Sequence, residues 1–278
     1  MFRILRVVPK NHLSYLVGRL SRLPFPRRLR RPLFACFARR FGVNLSEASR
    51  ALDEYPSLYD FFVRDLRRGC RPISEGVVSP VDAVISEFGR IDDGRMLQVK
   101  NKYFSVAQLL QAESLSCRYA DGYFITFYLA PGDYHHIHSP VDGVITEACY
   151  VPGKLWPVNT WSVRNIDGLF TVNERVITVI DSSSYGQVCV VKVGATNVGS
   201  IRLAYDPEIC SNTNPFSLRA KHVFRRYYQP SIPAARGARL GTFCLGSTVI
   251  LLFEAGFFSP GEHLRNVPVK MGERINAA

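Results

Sequence analysis

The chain has 278 residues, 47% of them hydrophobic, and a mean hydropathy near zero; such a chain can bury one large core or two modest ones, which argues against a disordered polymer. Its formal charge of +12 is unevenly spread: residues 1–41 hold eleven Arg and Lys and no acid, leaving 24 basic against 23 acidic side chains elsewhere. Seven cysteines stand singly with no C-x-x-C pair, which argues against a zinc ribbon or a disulfide framework and fits a reducing compartment. No run reaches the roughly 18–20 apolar residues that span a bilayer, and the N-terminus lacks the continuous apolar core of a secretory signal.

Residues 1–45 read as a basic amphipathic arm, broken by Pro9, Pro24, Pro26 and Pro32 into short helices. In the first, Leu13, Leu16, Val17, Leu20 and Leu23 recur at spacings of three and four with Arg19 and Arg22 between them; in the second, Phe34, Phe37 and Phe41 mix with Arg39 and Arg40. Such segments suit helices lying in anionic lipid headgroups, where each basic side chain contributes about 1 kcal/mol. The alternatives are a packed helical subdomain with a solvated basic face, an organelle transit peptide and a nucleic-acid-binding arm, the last weakened by the lack of any reading motif. Residues 46–76 form a helical segment that packs on the core: Tyr59, Phe62, Val63 and Leu66 fall on one helical face, with Ser57 and Asp60 as its start and Gly69 as its stop.

From residue 77 to 278 the texture is β-rich. Short β-branched and aromatic runs, among them Tyr123–Leu129, Arg175–Ile180, Val188–Val193 and Thr248–Phe253, are divided by Asp-Gly turns at 93–94, 121–122, 142–143 and 167–168. Ser79-Pro-Val-Asp-Ala-Val-Ile-Ser-Glu87 recurs as Ser139-Pro-Val-Asp-Gly-Val-Ile-Thr-Glu147 with seven of nine positions identical, which reads as a duplicated turn-and-strand unit. The expected fold is α+β: N-terminal amphipathic helices followed by a mainly antiparallel β core with a duplicated β unit.

Three of the six histidines cluster in Asp133-Tyr-His-His-Ile-His138. No familiar ligand spacing completes a metal site, and none is expected. A regular strand would put His135 and His138 on opposite faces, whereas a helical turn after Pro131 would bring them together. Proton transfer by an imidazole is the natural chemistry, with structural histidines in a turn as the alternative. Ser247 follows a glycine, and with one of these histidines and Asp82 or Asp142 it would make a Ser/His/Asp hydrolase, but the Gly-x-Ser-x-Gly elbow is absent because Leu245 and Val249 flank it.

Read together, Phe61-Phe-Val-Arg-Asp-Leu66, Ser79-Pro-Val-Asp82, Tyr128-Leu-Ala-Pro-Gly-Asp-Tyr-His-His-Ile-His138, Val151-Pro-Gly153, Asn173-Glu-Arg-Val176, Val193-Gly-Ala-Thr196 and Leu245-Gly-Ser-Thr248 resemble the bacterial phosphatidylserine decarboxylases, in order and over nearly the whole chain. The resemblance implies a proenzyme that cuts itself between Gly246 and Ser247, leaving a large N-terminal and a small C-terminal chain held together as a heterodimer, with a dimer of these as the implied assembly. It implies that Asp82 orients His138, that His138 takes the Ser247 Oγ proton, and that Oγ attacks the Gly246 carbonyl. The resulting ester eliminates across Ser247 to dehydroalanine, which hydrolyses to a pyruvoyl group and ammonia.

This covalent pyruvate derived from Ser247 is the implied cofactor and Schiff-base centre for the serine amine of phosphatidylserine, with no external cofactor. His135 is the implied general acid for the decarboxylation step. The product would be phosphatidylethanolamine, in phospholipid biosynthesis, at an anionic phospholipid membrane. Placement is expected at the cytoplasmic side of the cell membrane as a peripheral protein, since no long extension precedes the family match, with the mitochondrial inner membrane as the alternative. The chain departs from the family pattern at Ala83, where Gly is usual, and at Arg239, where Glu is usual. A non-enzymatic membrane-binding relative is the remaining rival.

Overall fold

The computed structural model describes residues 10–99, 102–196, 200–212, 221–244, 248–261 and 264–277. Two arm helices come first, α1 (Lys10–Leu20) and α2 (Arg27–Phe41), followed by the short α3 (Leu58–Phe62). Of the prolines expected to break the arm, Pro9 lies outside the described residues, and Pro32 sits inside α2 without ending it. Its ring removes one backbone donor, and the surrounding first turns are largely solvent-facing. Gly42 caps α2 in a left-handed conformation, with its N–H returned to Ala38.

The apolar stripe of α1 points outward. Leu13, Leu16 and Leu20, with Leu23 just beyond, are between 43% and 57% exposed, while Ser14 and Ser21 are buried. The small and polar side of the helix faces the protein. In α2 the inward residues are Phe34 and Ala38, which share a cluster with Val43, Tyr55 and Phe61, while Leu29 and Leu33 are exposed. The expected helix over residues 57–69 stops at Phe62. Ser57 caps it as foreseen by accepting from Asp60 N, but the Val63 carbonyl accepts from His136 Nε2 at 2.9 Å, and Arg64 turns inward to the Gly132 carbonyl at 2.6 Å. Tertiary partners thus take the groups that another helical turn would need.

The β core comprises β1 (Ala83–Arg90), β2 (Arg95–Val99), β3 (Lys102–Ser105), β4 (Tyr123–Tyr128), β5 (His136–His138), β6 (Gly143–Val151), β7 (Arg175–Ser182), β8 (Gly186–Val193), β9 (Ile201–Leu203), β10 (Phe224–Ala234), β11 (Arg239–Phe243), β12 (Thr248–Phe253) and β13 (Pro268–Val269). Eight of them form one antiparallel sheet in the order β10-β6-β7-β8-β12-β4-β1-β13, and β5-β11-β9 form a second. Apolar side chains such as Phe127, Ile137, Val190, Leu203, Phe243 and Val249 fill the main core, which draws on both sheets. A second core packs the hairpin β2–β3 and the short helices over residues 106–119 and 160–172 against side chains such as Ile177, Val191 and Ile250. β12 lies between β8 and β4, every residue buried. The strand that follows the Leu245-Gly-Ser-Thr248 motif is therefore a central one, hydrogen-bonded on both sides.

The duplicated unit is a structural duplication. Ser79 Oγ donates to Val81 O and Ser139 Oγ to Val141 O, each at 2.7 Å. The strands that follow both shift register at the same place, Ile85/Glu87 and Ile145/Glu147. The copies also bond each other reciprocally, His138 N to Pro80 O and Val78 N to Pro140 O. Each aspartate accepts the N–H of a turn on its neighbouring strand: Asp82 from Met271 and Asp142 from Arg236, both at 2.9 Å.

Candidate active site

The histidine cluster is held by strand pairing. β5 runs antiparallel to β11, with His138 opposite Arg239 and His136 opposite Thr242, so the extended alternative holds and the helical turn is not formed. The preceding turn, Ala130 to Asp133, closes through Asp133 N to Ala130 O and Ala130 N to Asp133 Oδ2. Gly132 in this turn lies so close to the Phe41 carbonyl that a Cβ has no room, which ties the end of α2 to the loop that delivers the histidines.

His138 is buried, with Nδ1 2.7 Å from the Gly237 carbonyl and Nε2 3.1 Å from the Tyr134 hydroxyl. A carbonyl only accepts, so Nδ1 carries the proton and Nε2 presents the lone pair. Burial lowers its pKa, partly opposed by the Gly237 bond, and the imidazole is a neutral base at pH 7. His136 has the opposite tautomer: Nε2 donates to Val63 O and Nδ1 accepts from Thr242 Oγ1 at 2.7 Å. Burial, aided by Arg239, pushes it down to about 4. Both of its nitrogens are occupied by structural partners.

His135 is fully buried with its ring 4.0 Å from that of Phe62. Nδ1 donates to Asp133 O at 2.8 Å, and Nε2 is a buried atom without a hydrogen-bond partner among the described residues. Burial pushes its pKa down to about 3. The imidazole is therefore a base in the resting protein, and it serves as an acid only after taking up a proton.

The expected hydrogen bond between Asp82 and His138 is not made. Asp82 Oδ1 and Oδ2 accept from Arg71 Nε and Nη2 at 2.8 and 2.5 Å, with Lys270 Nζ 3.5 Å from Oδ2. Arg71 also reaches Glu47 at 2.7 Å. A bidentate, nearly buried guanidinium outcompetes a neutral imidazole for a carboxylate, and the place of the orienting acid on His138 Nδ1 is taken by the Gly237 carbonyl. Asp82 acts on His138 through its field, which raises the imidazole pKa. A cleft of about 400 Å³ opens here, lined by Arg71, Met271, Tyr134 and Arg239 among others.

The two departures from the family pattern have clear environments. Ala83 begins β1 and is buried opposite Val269. Arg239 pairs with Asp65 at 2.6 Å and approaches the Tyr134 hydroxyl at 3.4 Å, so a chain of contacts runs Asp65–Arg239–Tyr134–His138. Tyr134, Arg71 and the Gly237 carbonyl were not singled out by sequence. Tyr134 lies within the histidine motif, whereas Arg71 and Gly237 carried no local signal. Gly246 and Ser247 lie outside the described residues. Nearest in the chain are Cys244, whose N–H donates to Ser200 O at 2.8 Å, and Thr248 at the start of β12. Among the described residues no group of three or more His, Cys, Asp or Glu is arranged to hold a metal ion.

A model of the family described as phosphatidylserine decarboxylase matches residues 58–277. The chain belongs to the phosphatidylserine decarboxylase family. It is 46% identical to the phosphatidylserine decarboxylase proenzyme of Anaeromyxobacter sp. (strain K), over 99% of this chain and 96% of that protein. It is 40% identical to the proenzyme of the same name from Myxococcus xanthus (strain DK1622), over 98% and 96%, and 38% identical to that of Brevibacillus brevis, over 89% and 86%. The matched residues span the β core, the histidine motif and strands β12 and β13.

Proposed function

We propose that the chain is a self-cutting, pyruvoyl-dependent decarboxylase that converts phosphatidylserine to phosphatidylethanolamine and carbon dioxide at an anionic membrane surface. The observation that carries the reading is the joining of the two chemical motifs by one strand. β11 runs directly into Leu245-Gly-Ser-Thr248, is hydrogen-bonded along β5, and donates from Phe243 N to His135 O at 2.9 Å. The relatives' shared name, proenzyme, supports the cutting step.

In that step His138 Nε2 is the base for the Ser247 Oγ proton. The Gly237 carbonyl holds the ring in the required tautomer, the Tyr134 hydroxyl that donates to Nε2 at 3.1 Å gives up that nitrogen to the serine hydroxyl, and the Asp82 carboxylate stabilises the imidazolium from a distance. Oγ attacks the Gly246 carbonyl, the peptide C–N bond gives way to an ester, and loss of the Gly246 carboxylate from the Ser247 β-carbon leaves dehydroalanine. Water then releases ammonia. The pyruvoyl group so formed supplies a carbonyl that takes up the substrate amine and accepts electrons as carbon dioxide leaves. The buried Nε2 of His135, without a hydrogen-bond partner among the described residues, fits service beside it as the group that delivers a proton to the carbon that lost carbon dioxide.

Assembly after cutting is supported by the central position of β12, since strand pairing and burial keep the large and small chains together as a heterodimer. Contact with lipid is supported by the outward leucines of α1 and the acid-free charge of the arm. No helix among the described residues is long and apolar enough to cross a membrane, which fits peripheral binding. The test is a denaturing mass measurement of active wild-type protein and of Ser247→Ala. The wild type should contain a small chain beginning at position 247 with a blocked terminus, and the variant should remain at 31.3 kDa. An uncut wild-type chain that decarboxylates phosphatidylserine would sink the proposal.

A further inference from the structure

Arg19, Arg22 and Arg202 line one pocket of about 410 Å³ together with Tyr15, Ser200 and Asn212, with no carboxylate in its lining. This separates them from six arginines of the β core. Arg118, Arg225, Arg226, Arg236, Arg239 and Arg265 each meet a carboxylate within salt-bridge distance. Among the described residues Arg19, Arg22 and Arg202 meet none. Arg22 lies 4.6 Å from the Tyr59 ring centroid, and Arg202 is held on β9 opposite Thr242. Three guanidiniums facing one polar space repel one another unless an anion enters, and a guanidinium fork matches phosphate oxygens.

Two further observations say which anion. The wall that carries Ser200 is bonded to the chain leading to Ser247: Ser200 O accepts from Cys244 N at 2.8 Å, and Ser200 Oγ contacts Cys244 Sγ at 3.2 Å. Three Cα–Cα steps, at most about 11 Å when extended, lead from Cys244 to Ser247. The opposite wall is α1, whose far side exposes Leu13, Leu16 and Leu20. A phospholipid headgroup suits this placement, because its phosphate lies between acyl chains that stay with the leucines and an amine about 5 Å away that must reach position 247.

We infer that the Arg19–Arg22–Arg202 pocket is the phosphate subsite of the lipid substrate, one wall supplied by the N-terminal arm and the other by the β core. This rests on the proposed decarboxylase reading. It gives the arm a role beyond surface attraction: two of its arginines hold the phosphodiester of the molecule being decarboxylated.

The experiment uses matured wild type, Arg22→Gln, Arg202→Gln, the double variant and Arg164→Gln as a control, with short-chain phosphatidylserine kept below its micelle concentration so that membrane binding plays no part. Loss of a charge-assisted phosphate contact should raise KM about tenfold or more in each single variant, with kcat within about twofold, melting temperature unchanged and Arg202→Lys intermediate. Arg164→Gln should match wild type. Unchanged KM in the double variant, or a fall in kcat alone, overturns the assignment.

Two probes distinguish the source of the anion by calorimetry. Inorganic phosphate that binds wild type and not the double variant supports a subsite open to free anions, and glycerophosphoserine binding alone supports one selective for the headgroup. If neither binds and KM is unchanged, the subsite is refuted. A wild type that cuts itself but never turns over phosphatidylserine refutes the decarboxylase reading, while glycerophosphoserine binding lost in the double variant still upholds the pocket.

Discussion

Replacing Arg71 by methionine tests how the buried carboxylate of the site is held. The Arg71 and Asp82 side chains are 7% and 4% exposed, and the guanidinium supplies two of the hydrogen bonds to Asp82, at 2.8 and 2.5 Å. Methionine keeps the length and removes the charge. Asp82 then retains Met271 N at 2.9 Å and the half-exposed Lys270 Nζ at 3.5 Å. Removing one partner of a buried pair costs about 3–5 kcal/mol, and the remaining lysine places the expectation near the lower end, about 3 kcal/mol. For a chain of this size that corresponds to a melting temperature lower by roughly 6–12 °C.

The assay is thermal unfolding followed by circular dichroism in a Ser247→Ala background, so that cutting does not intervene. Adding Asp82→Asn to Arg71→Met removes the orphaned charge and should recover about 2 kcal/mol, a coupling that a merely space-filling arginine would not show. In the serine-containing chain, Arg71→Met should slow self-cutting about tenfold, because Asp82 loses its fixed position near His138. A single variant melting within 2 °C or so of its parent, or a double variant no more stable than the single, would refute the reasoning.

Burial holds His135 and His136 neutral down to about 3 and about 4, while the unfolded chain takes up protons near pH 6.5. The unfolded state therefore binds more protons below that pH, and stability falls as pH drops from about 6.5 toward 4. His135 alone should account for about 2 kcal/mol between pH 6.5 and 5; urea midpoints of Ser247→Ala and Ser247→Ala/His135→Leu should diverge in this window, and parallel pH profiles would count against the buried neutral imidazole. His135→Ala should still cut at least in part yet lose turnover, as read by mass and carbon dioxide release; normal decarboxylation removes His135 from the mechanism. Leu16→Glu/Leu20→Glu should fold normally, because both positions are exposed, yet partition roughly tenfold or more weakly onto phosphatidylserine-containing vesicles, and equal partitioning would place the lipid contact elsewhere.

The β core was legible because its signals are local. The runs read as Tyr123–Leu129 and Thr248–Phe253 appear as β4 and β12 with boundaries within a residue, since β-branched and aromatic residues bounded by turns have few other uses. The arm's helices were legible from their periodicity, and the leucine stripe of α1 faces outward, the orientation that the interfacial reading needs and the packed alternative does not, with Ser14 and Ser21 as the buried residues.

The sequence by itself determined the duplicated strands, the order of the motifs and the family to which they belong, because each is carried by residues adjacent in the chain. Only the tertiary structure decided how the groups in those motifs are used. Asp82 and Asp142 stand in nearly identical local sequences and each accepts one turn N–H, yet the Asp82 side chain is 4% exposed and that of Asp142 67%. What distinguishes them arrives from elsewhere in the chain: Arg71 from eleven residues away and Met271 from 189. The same holds for His138, whose tautomer is set by the carbonyl of Gly237, 99 residues on. Burial and long-range hydrogen bonds leave no periodic trace in a sequence, so they became visible only once the two sheets were closed on each other.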